Sequence, residues 1–291
     1  MSKLMSLLFD THAFKVCEEN KPFWYTSGKI GPYFVNADYL YGSENDSKEF
    51  LSFIDEQLET ADKTEIPTNI FKRVLNHYEN NEIYKYVIDT LKAYIEEHID
   101  IASIDYVSGG ERRDWYFSNI IAYLLNKPHV TIYKDLTTVE SNFDFTENKE
   151  VKSLENKKML HLADLLNQSA SFTRAWIPAI EALGSKIVWS VFMVDRKNGG
   201  TKTLSDCGVE VHSLLQIDDN LFVKALELGI INEEQLAMLR DFTKDPDGSM
   251  KEFLIAHPEF IEDALKSDNS RTLKRVNTLI EQNIYGLNLT K

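Results

Sequence analysis

The feature that most constrains this chain is an alternation between Ile99 and Ile217. Short β-branched and apolar runs take turns with apolar helical stretches, and each run stops at a polar or glycine-containing turn. IDIASIDYVSGG reads as a strand ending in a Gly turn, and WYFSNIIAYLLN as a buried helix. KPHVTIYKD is a second strand and KKMLHLADLL a third. SASFTRAWIPAIEALG is a helix with Gly184 as its C-terminal stop. SKIVWSVFMVDR is a fourth strand, NGGTKTLSDCG a turn with a short helix, and VEVHSLLQI a fifth strand. Strands alternating with helices require long crossovers, which predicts a parallel α/β sheet flanked by helices. A ligand site in such a sheet lies beyond the carboxyl ends of its strands.

The flanks read differently. Residues 1–40 begin with a helical pattern around Leu4–Cys17, and an aromatic, turn-rich stretch follows in which YFV reads as a strand. Residues 43–98 are mostly helical: Phe50, Leu51, Phe53, Ile54 and Leu58 keep one helical period, Tyr84, Val87, Ile88, Leu91 and Ile95 another, with Pro67 between them. Residues 137–157 are polar and acidic, as in an exposed loop or hairpin. Residues 218–291 carry helical patterns broken at DPDG, Pro258 and SDNS. The expected organisation is three segments: 1–98, an N-terminal hood with a helical insertion; 99–217, the α/β core; and 218–291, a C-terminal helical extension.

The chain of 291 residues holds 32 Lys and Arg against 46 Asp and Glu, a formal charge of −14. That balance argues against nucleic-acid and anionic-membrane partners, which need basic surfaces. It leaves room for a phosphorylated small molecule, which needs only a few amides and cations. No leader peptide or spanning segment is read, and a cytoplasmic protein is expected. Cys17 and Cys207 stand far apart in sequence, and we expect two buried free thiols. His161 and His212 sit on strands and read as structural.

The strand-end turns YVSGGERRDW, TIYKD, HLADLLNQSAS and VDRKNGG, together with SGKIGPYFVNAD near the N-terminus, follow one another in an order that resembles the orotate phosphoribosyltransferases among the type I phosphoribosyltransferases. The resemblance covers roughly residues 20–40 and 100–217, and its most specific segments are SGKxxPYFxNA and VDRxxGG followed by GVxxHSLL. It implies an N-terminal hood over a base, and transfer of a 5-phosphoribosyl group from phosphoribosyl pyrophosphate to an orotate-like nitrogenous base. It further implies Mg2+ carried on the substrate, and a homodimer.

Residue by residue, the resemblance puts Lys29, Tyr33, Phe34 and Arg196 at the base. A guanidinium such as Arg196 suits a planar carboxylate, which it binds bidentately. Gly109, Gly110, Arg112 and Arg113 fall at the pyrophosphate. Asp164 and Lys134 take catalytic positions, Asp164 also meeting the ribose. Asn167, Gln168, Ser169, Ala170 and Ser171 make the turn for the 5′-phosphate. The chain departs from the family in three places. Ala163 replaces one of two adjacent acids and the 167–171 turn has no glycine; residues 135–157 lack the family's Lys and His; and Thr26 stands where a lysine is usual. These departures support an alternative, a non-catalytic binder of a nucleotide or sugar phosphate on the same fold.

Overall fold

Alternating apolar runs seek burial on both faces, and helices packed on both sides of a sheet supply it. The computed structural model describes residues 2–289. Along the chain, helix α1 (Ser2–Asp10) precedes four short strands: β1 (Phe14–Val16), β2 (Phe23–Trp24), β3 (Ile30–Gly31) and β4 (Tyr33–Val35). Helices α2 (Glu44–Thr60), α3 (Ile66–Asn80) and α4 (Glu82–His98) follow. Then come β5 (Tyr106–Gly110), α5 (Trp115–Leu124), β6 (His129–Ile132), β7 (Thr138–Ser141), β8 (Asn148–Glu150), β9 (Lys158–Leu166), α6 (Ile177–Ala182), β10 (Lys186–Asp195), α7 (Gly200–Asp206) and β11 (Glu210–Gln216). Five helices close the chain: α8 (Asp219–Glu227), α9 (Glu233–Lys244), α10 (Pro246–Ala256), α11 (Glu259–Leu265) and α12 (Ser270–Glu281).

The chain divides into two compact units. The larger, residues 1–13 and 36–218, contains a seven-stranded sheet in the order β11-β10-β9-β5-β6-β7-β8. The first five of these strands pair in parallel; β7 adds antiparallel to β6, and β8 antiparallel to β7. The predicted α/β fold with a mainly parallel sheet is therefore present, and the acidic stretch 137–157 is a hairpin that extends the sheet. The hairpin is anchored by Phe145, which is fully buried and stacks on Phe71 of α3 at 4.5 Å. Thr68 of α3 donates to the Phe145 carbonyl at 2.6 Å.

The smaller unit joins residues 14–35 to residues 219–291. Strand β1 pairs antiparallel with β4, and β2 with β3. Helices from the C-terminal segment hold these ribbons: Tyr285 accepts the Ile30 amide at 2.9 Å, and Trp24 stacks on Phe260 at 5.3 Å. The compact units thus cut across the three sequence segments: the hood strands go with the C-terminal helices, and the helical insertion goes with the sheet.

Three local readings change. The first helix ends at Asp10, and Phe14–Val16 is a strand, because its backbone pairs with Tyr33–Val35. The insertion holds three helices, since Pro67 sits in the first turn of α3, where its missing N–H costs nothing. Cys17 is buried but Cys207 is exposed, at the solvent-facing C-terminal cap of α7. No helix among the described residues is long and apolar enough to cross a membrane.

Candidate functional site

Three parallel strands of the larger unit end side by side, and their following turns line one cavity of about 420 Å³. Strand β5 delivers the turn Glu111–Asp114, β6 delivers Lys134, and β9 delivers Asp164 and the turn 167–171. This is the position expected for a ligand at the carboxyl edge of an α/β sheet. Of the residues singled out in the sequence, Arg112, Arg113, Lys134, Asp164, Asn167, Gln168, Ser169, Ala170 and Ser171 all line it.

The turn after β9 leads into a helix start. Ser169 adopts a left-handed conformation (φ 61°), which turns the chain sharply from strand into helix, and its carbonyl accepts the Thr173 amide at 3.1 Å. The amides of the first helical turn have no intrahelical acceptor and carry the positive end of the helix dipole. The turn after β10 holds this one in place. Arg196 donates its amide to the Leu166 carbonyl at 2.9 Å, Asn198 donates to the Asn167 side chain at 2.9 Å, and Ser169 donates to the Gly200 carbonyl at 3.2 Å. Gly200 is required there: a Cβ would lie 2.3 Å from the Asn167 carbonyl oxygen. Arg196 itself stands on the turn that buttresses the 167–171 turn, held there by its own amide.

The charges of the cavity are arranged in pairs. Arg113 Nε lies 3.2 Å from Asp38, Lys134 Nζ lies 3.1 Å from Glu111, and Arg112 pairs with Asp55 of α2. Asp38 is almost fully buried and also accepts from Ser47 at 2.6 Å. Asp164 has no basic partner of its own at contact distance. Burial, with the nearby charges of Asp114 and then Asp38, pushes its carboxyl up to about 7, against the opposing pull of Arg113. A carboxyl so tuned exchanges protons near neutrality and can act on either side of a proton transfer.

Gly109 and Gly110 do not reach the cavity, contrary to the role the resemblance gives them. The Trp176 ring covers Gly110, where a Cβ would sit 2.3 Å from the ring. The Gly110 amide donates to Asp114 at 2.9 Å, and the Gly109 carbonyl accepts the Trp115 indole at 3.1 Å. Lys29, Tyr33 and Phe34 belong to the smaller unit. Lys29 pairs with Asp247 at 2.7 Å, Phe34 packs beside Phe23, and Tyr33 is buried against Phe14 and Phe242.

Sequence reasoning did not single out for the site Asp38, Glu111 and Asp114, which anchor its charges, Trp176, which forms part of its wall, or His161, which stands behind it. His161 is buried, with Nδ1 2.9 Å from Ser108 Oγ and Nε2 3.4 Å from Asp114. Its structural reading stands, but its partner is a residue of the cavity wall.

No protein-family model matches the sequence. Among curated proteins, the chain is 27% identical over 183 residues to the adenine phosphoribosyltransferase of Shewanella frigidimarina, covering 59% of this chain and 98% of the relative. It is 26% identical over 171 residues to the adenine phosphoribosyltransferase of Symbiobacterium thermophilum, covering 55% and 96%. Among solved structures it is similar to UMP synthase of Leishmania donovani, with a TM-score of 0.51 and 15% identity over 83% of this chain; the match spans 41% of the UMP synthase chain. In sequence the chain is thus similar to adenine phosphoribosyltransferases, and it shares the fold of the UMP synthase structure, a mostly parallel sheet with its turns at the carboxyl edge.

Proposed function

We propose that the chain is a phosphoribosyltransferase, moving a 5-phosphoribosyl group between pyrophosphate and a nitrogenous base. The observation that carries this reading is the convergence of the 167–171 turn, Asp164 and Arg113 on one cavity. In this reading the turn's amides and hydroxyls take the 5′-phosphate, Asp164 the ribose hydroxyls, and Arg113 with Lys134 the departing pyrophosphate. Such a transfer passes through an oxocarbenium-like state, so the residues act by positioning and by stabilising charge. Magnesium enters as the counter-ion of the donor's pyrophosphate, with Asp164 and Glu111 the cavity carboxylates available to it. Among the described residues no group of three His, Cys, Asp or Glu forms an ion cage of its own.

For the base, the resemblance of the Arg196 turn supports one with a carboxylate, of the orotate type, although Arg196 is not among the residues lining the cavity, whereas the sequence relatives are adenine phosphoribosyltransferases. The test is to incubate the protein with phosphoribosyl pyrophosphate and Mg2+ against a panel including orotate and adenine. We expect pyrophosphate release with one of them; none across the panel defeats the reading. A second reading is a non-catalytic binder of a nucleotide or sugar phosphate. The pairing of Arg112, Arg113 and Lys134 with acids of the chain favours it, because paired cations attract a polyanion less. Calorimetry with nucleoside 5′-monophosphates tests it, and absence of binding overturns it.

A further inference from the structure

Lys134 is the cation that β6 brings to the cavity, and the turn that carries it does not hold itself. Residues 133–137 close tightly between β6 and β7: the Leu136 amide donates to the Tyr133 carbonyl and the Tyr133 amide to the Thr137 carbonyl, both at 2.9 Å. Leu136 takes a left-handed conformation (φ 67°), which a side chain with a Cβ disfavours. Its side chain is half exposed, so its own packing offsets little of that strain. Such backbone persists where neighbouring contacts fix it. From the turn after β5, Glu111 accepts the Lys134 amide at 3.1 Å and pairs with its Nζ at 3.1 Å. From the loop between α2 and α3 comes Lys63. Its Nζ donates to the Asp135 carboxylate and, at 3.0 Å, to Thr137 Oγ1, and lies 5.1 Å from the centre of the Tyr133 ring. Its carbonyl accepts the Tyr133 hydroxyl at 2.7 Å. Lys63 thus grips the turn immediately before and immediately after the strained leucine.

We propose that Lys63 is a positioning residue for the diphosphate subsite: it fixes the turn from which Lys134 meets the donor's pyrophosphate. This rests on the reading that the cavity takes a phosphoribosyl donor, with Lys134 at the pyrophosphate. Lys63 touches no ligand in this scheme and acts through Asp135 and Thr137. A lysine carries its charge on a flexible four-carbon stem, so only a fixed backbone lets that charge be found in place when the ligand arrives. The helical insertion thereby acquires a task. Its α2–α3 loop braces the strand end that carries Lys134, while Asp55 of α2 pairs with Arg112 on the neighbouring strand-end turn.

The test is isothermal calorimetry of the full chain with inorganic pyrophosphate and Mg2+, and separately with ribose 5-phosphate, on the wild type, Lys63→Met and Asp135→Ala. The two substitutions cut the same clamp but change the charge in opposite directions. Lys63 and Asp135 are 40% and 60% exposed, so neither change leaves a buried charge behind and both variants should fold. We expect both to weaken pyrophosphate binding about fivefold and to leave ribose 5-phosphate within about twofold of the wild type. Weaker binding in Lys63→Met with equal or tighter binding in Asp135→Ala shows that charge alone is at work and overturns the proposal. So does unchanged pyrophosphate binding in Lys63→Met, and so do equal losses for both probes, which signal a general loosening of the fold. If pyrophosphate does not bind the wild type, the reading of Lys134 falls and the inference falls with it; if it binds all three proteins alike, only the inference falls.

Discussion

Arg113 places its Nε 3.2 Å from Oδ1 of Asp38, a carboxylate that is 1% exposed and also accepts from Ser47. The pair ties the β5 turn to the short helix Ala37–Tyr41 that follows the hood segment. Ser47 in turn passes the restraint on, because its carbonyl accepts the Tyr116 hydroxyl at 2.8 Å. In Asp38→Asn, the Ser47 contact can persist while the charge facing Arg113 is gone. Arg113 is half exposed and recovers some hydration, so the loss should be about 1–3 kcal/mol rather than the larger cost of a sealed pair. Differential scanning calorimetry should show a melting point several degrees lower; an unchanged one would show that the pair is incidental.

The raised carboxyl of Asp164 makes stability depend on pH in a specific direction. Its folded value, about 7, lies above its ordinary 3.8, so the folded state holds a proton that the unfolded chain releases. The associated stability is complete below about pH 4 and is lost by the time pH passes about 7. Relative to Asp164→Asn, which does not titrate, the wild type should therefore lose melting temperature between pH 4.5 and 7 and run parallel to it above. Parallel profiles across the whole range would refute the assignment.

Gly200→Ala should disturb the 167–171 turn more than the helix it opens. An added methyl group collides with the Asn167 carbonyl oxygen at 2.3 Å and the Ser169 hydroxyl at 2.8 Å. Backbone cannot yield cheaply here, because Arg196 and Asn198 pin the same turn. We expect overpacking of about 1–3 kcal/mol together with at least a tenfold loss of ribose 5-phosphate affinity. Retained affinity in calorimetry would mean that the turn does not hold the phosphate.

The hairpin prediction concerns Phe145. Its buried ring packs the hairpin against α3, so Phe145→Ala should cost about 3–5 kcal/mol if the hairpin folds with the rest of the unit. Limited proteolysis should then cut within 135–157 faster than in the wild type. Equal cleavage rates would show that Phe71 does not hold it.

What was legible in the sequence followed regular patterns. Strand-end turns recur at fixed places in a βα alternation, so Arg113, Lys134, Asp164 and the 167–171 turn could be placed together from order alone. Asp38 and Asp114 follow no pattern. An aspartate before an apolar helix normally reads as its cap, yet Asp114 makes no cap hydrogen bond and folds back onto Gly110. Asp38 meets Arg113 only through tertiary folding, far from it in the chain. The two glycines of β5 misled for a related reason. Glycine marks close approach without saying of what, and here the approaching groups are the Ser118 side chain and the Trp176 ring rather than a ligand.

The unequal burial of the two thiols gives the molecule a ready reporter. Burial pushes the Cys17 thiol up to about 11, so little of it is thiolate at neutral pH, while Cys207 faces solvent. Brief treatment with a thiol-reactive dye near pH 7 should therefore label Cys207 alone. That position closes the same seven-residue helix whose first residue, Gly200, presses on the 167–171 turn. It lies about 10 Å along the helix axis from the turn, at roughly 1.5 Å per residue. A dye there would sense tightening of the turn around a phosphate without touching the ligand, reading occupancy optically in the unmodified sequence.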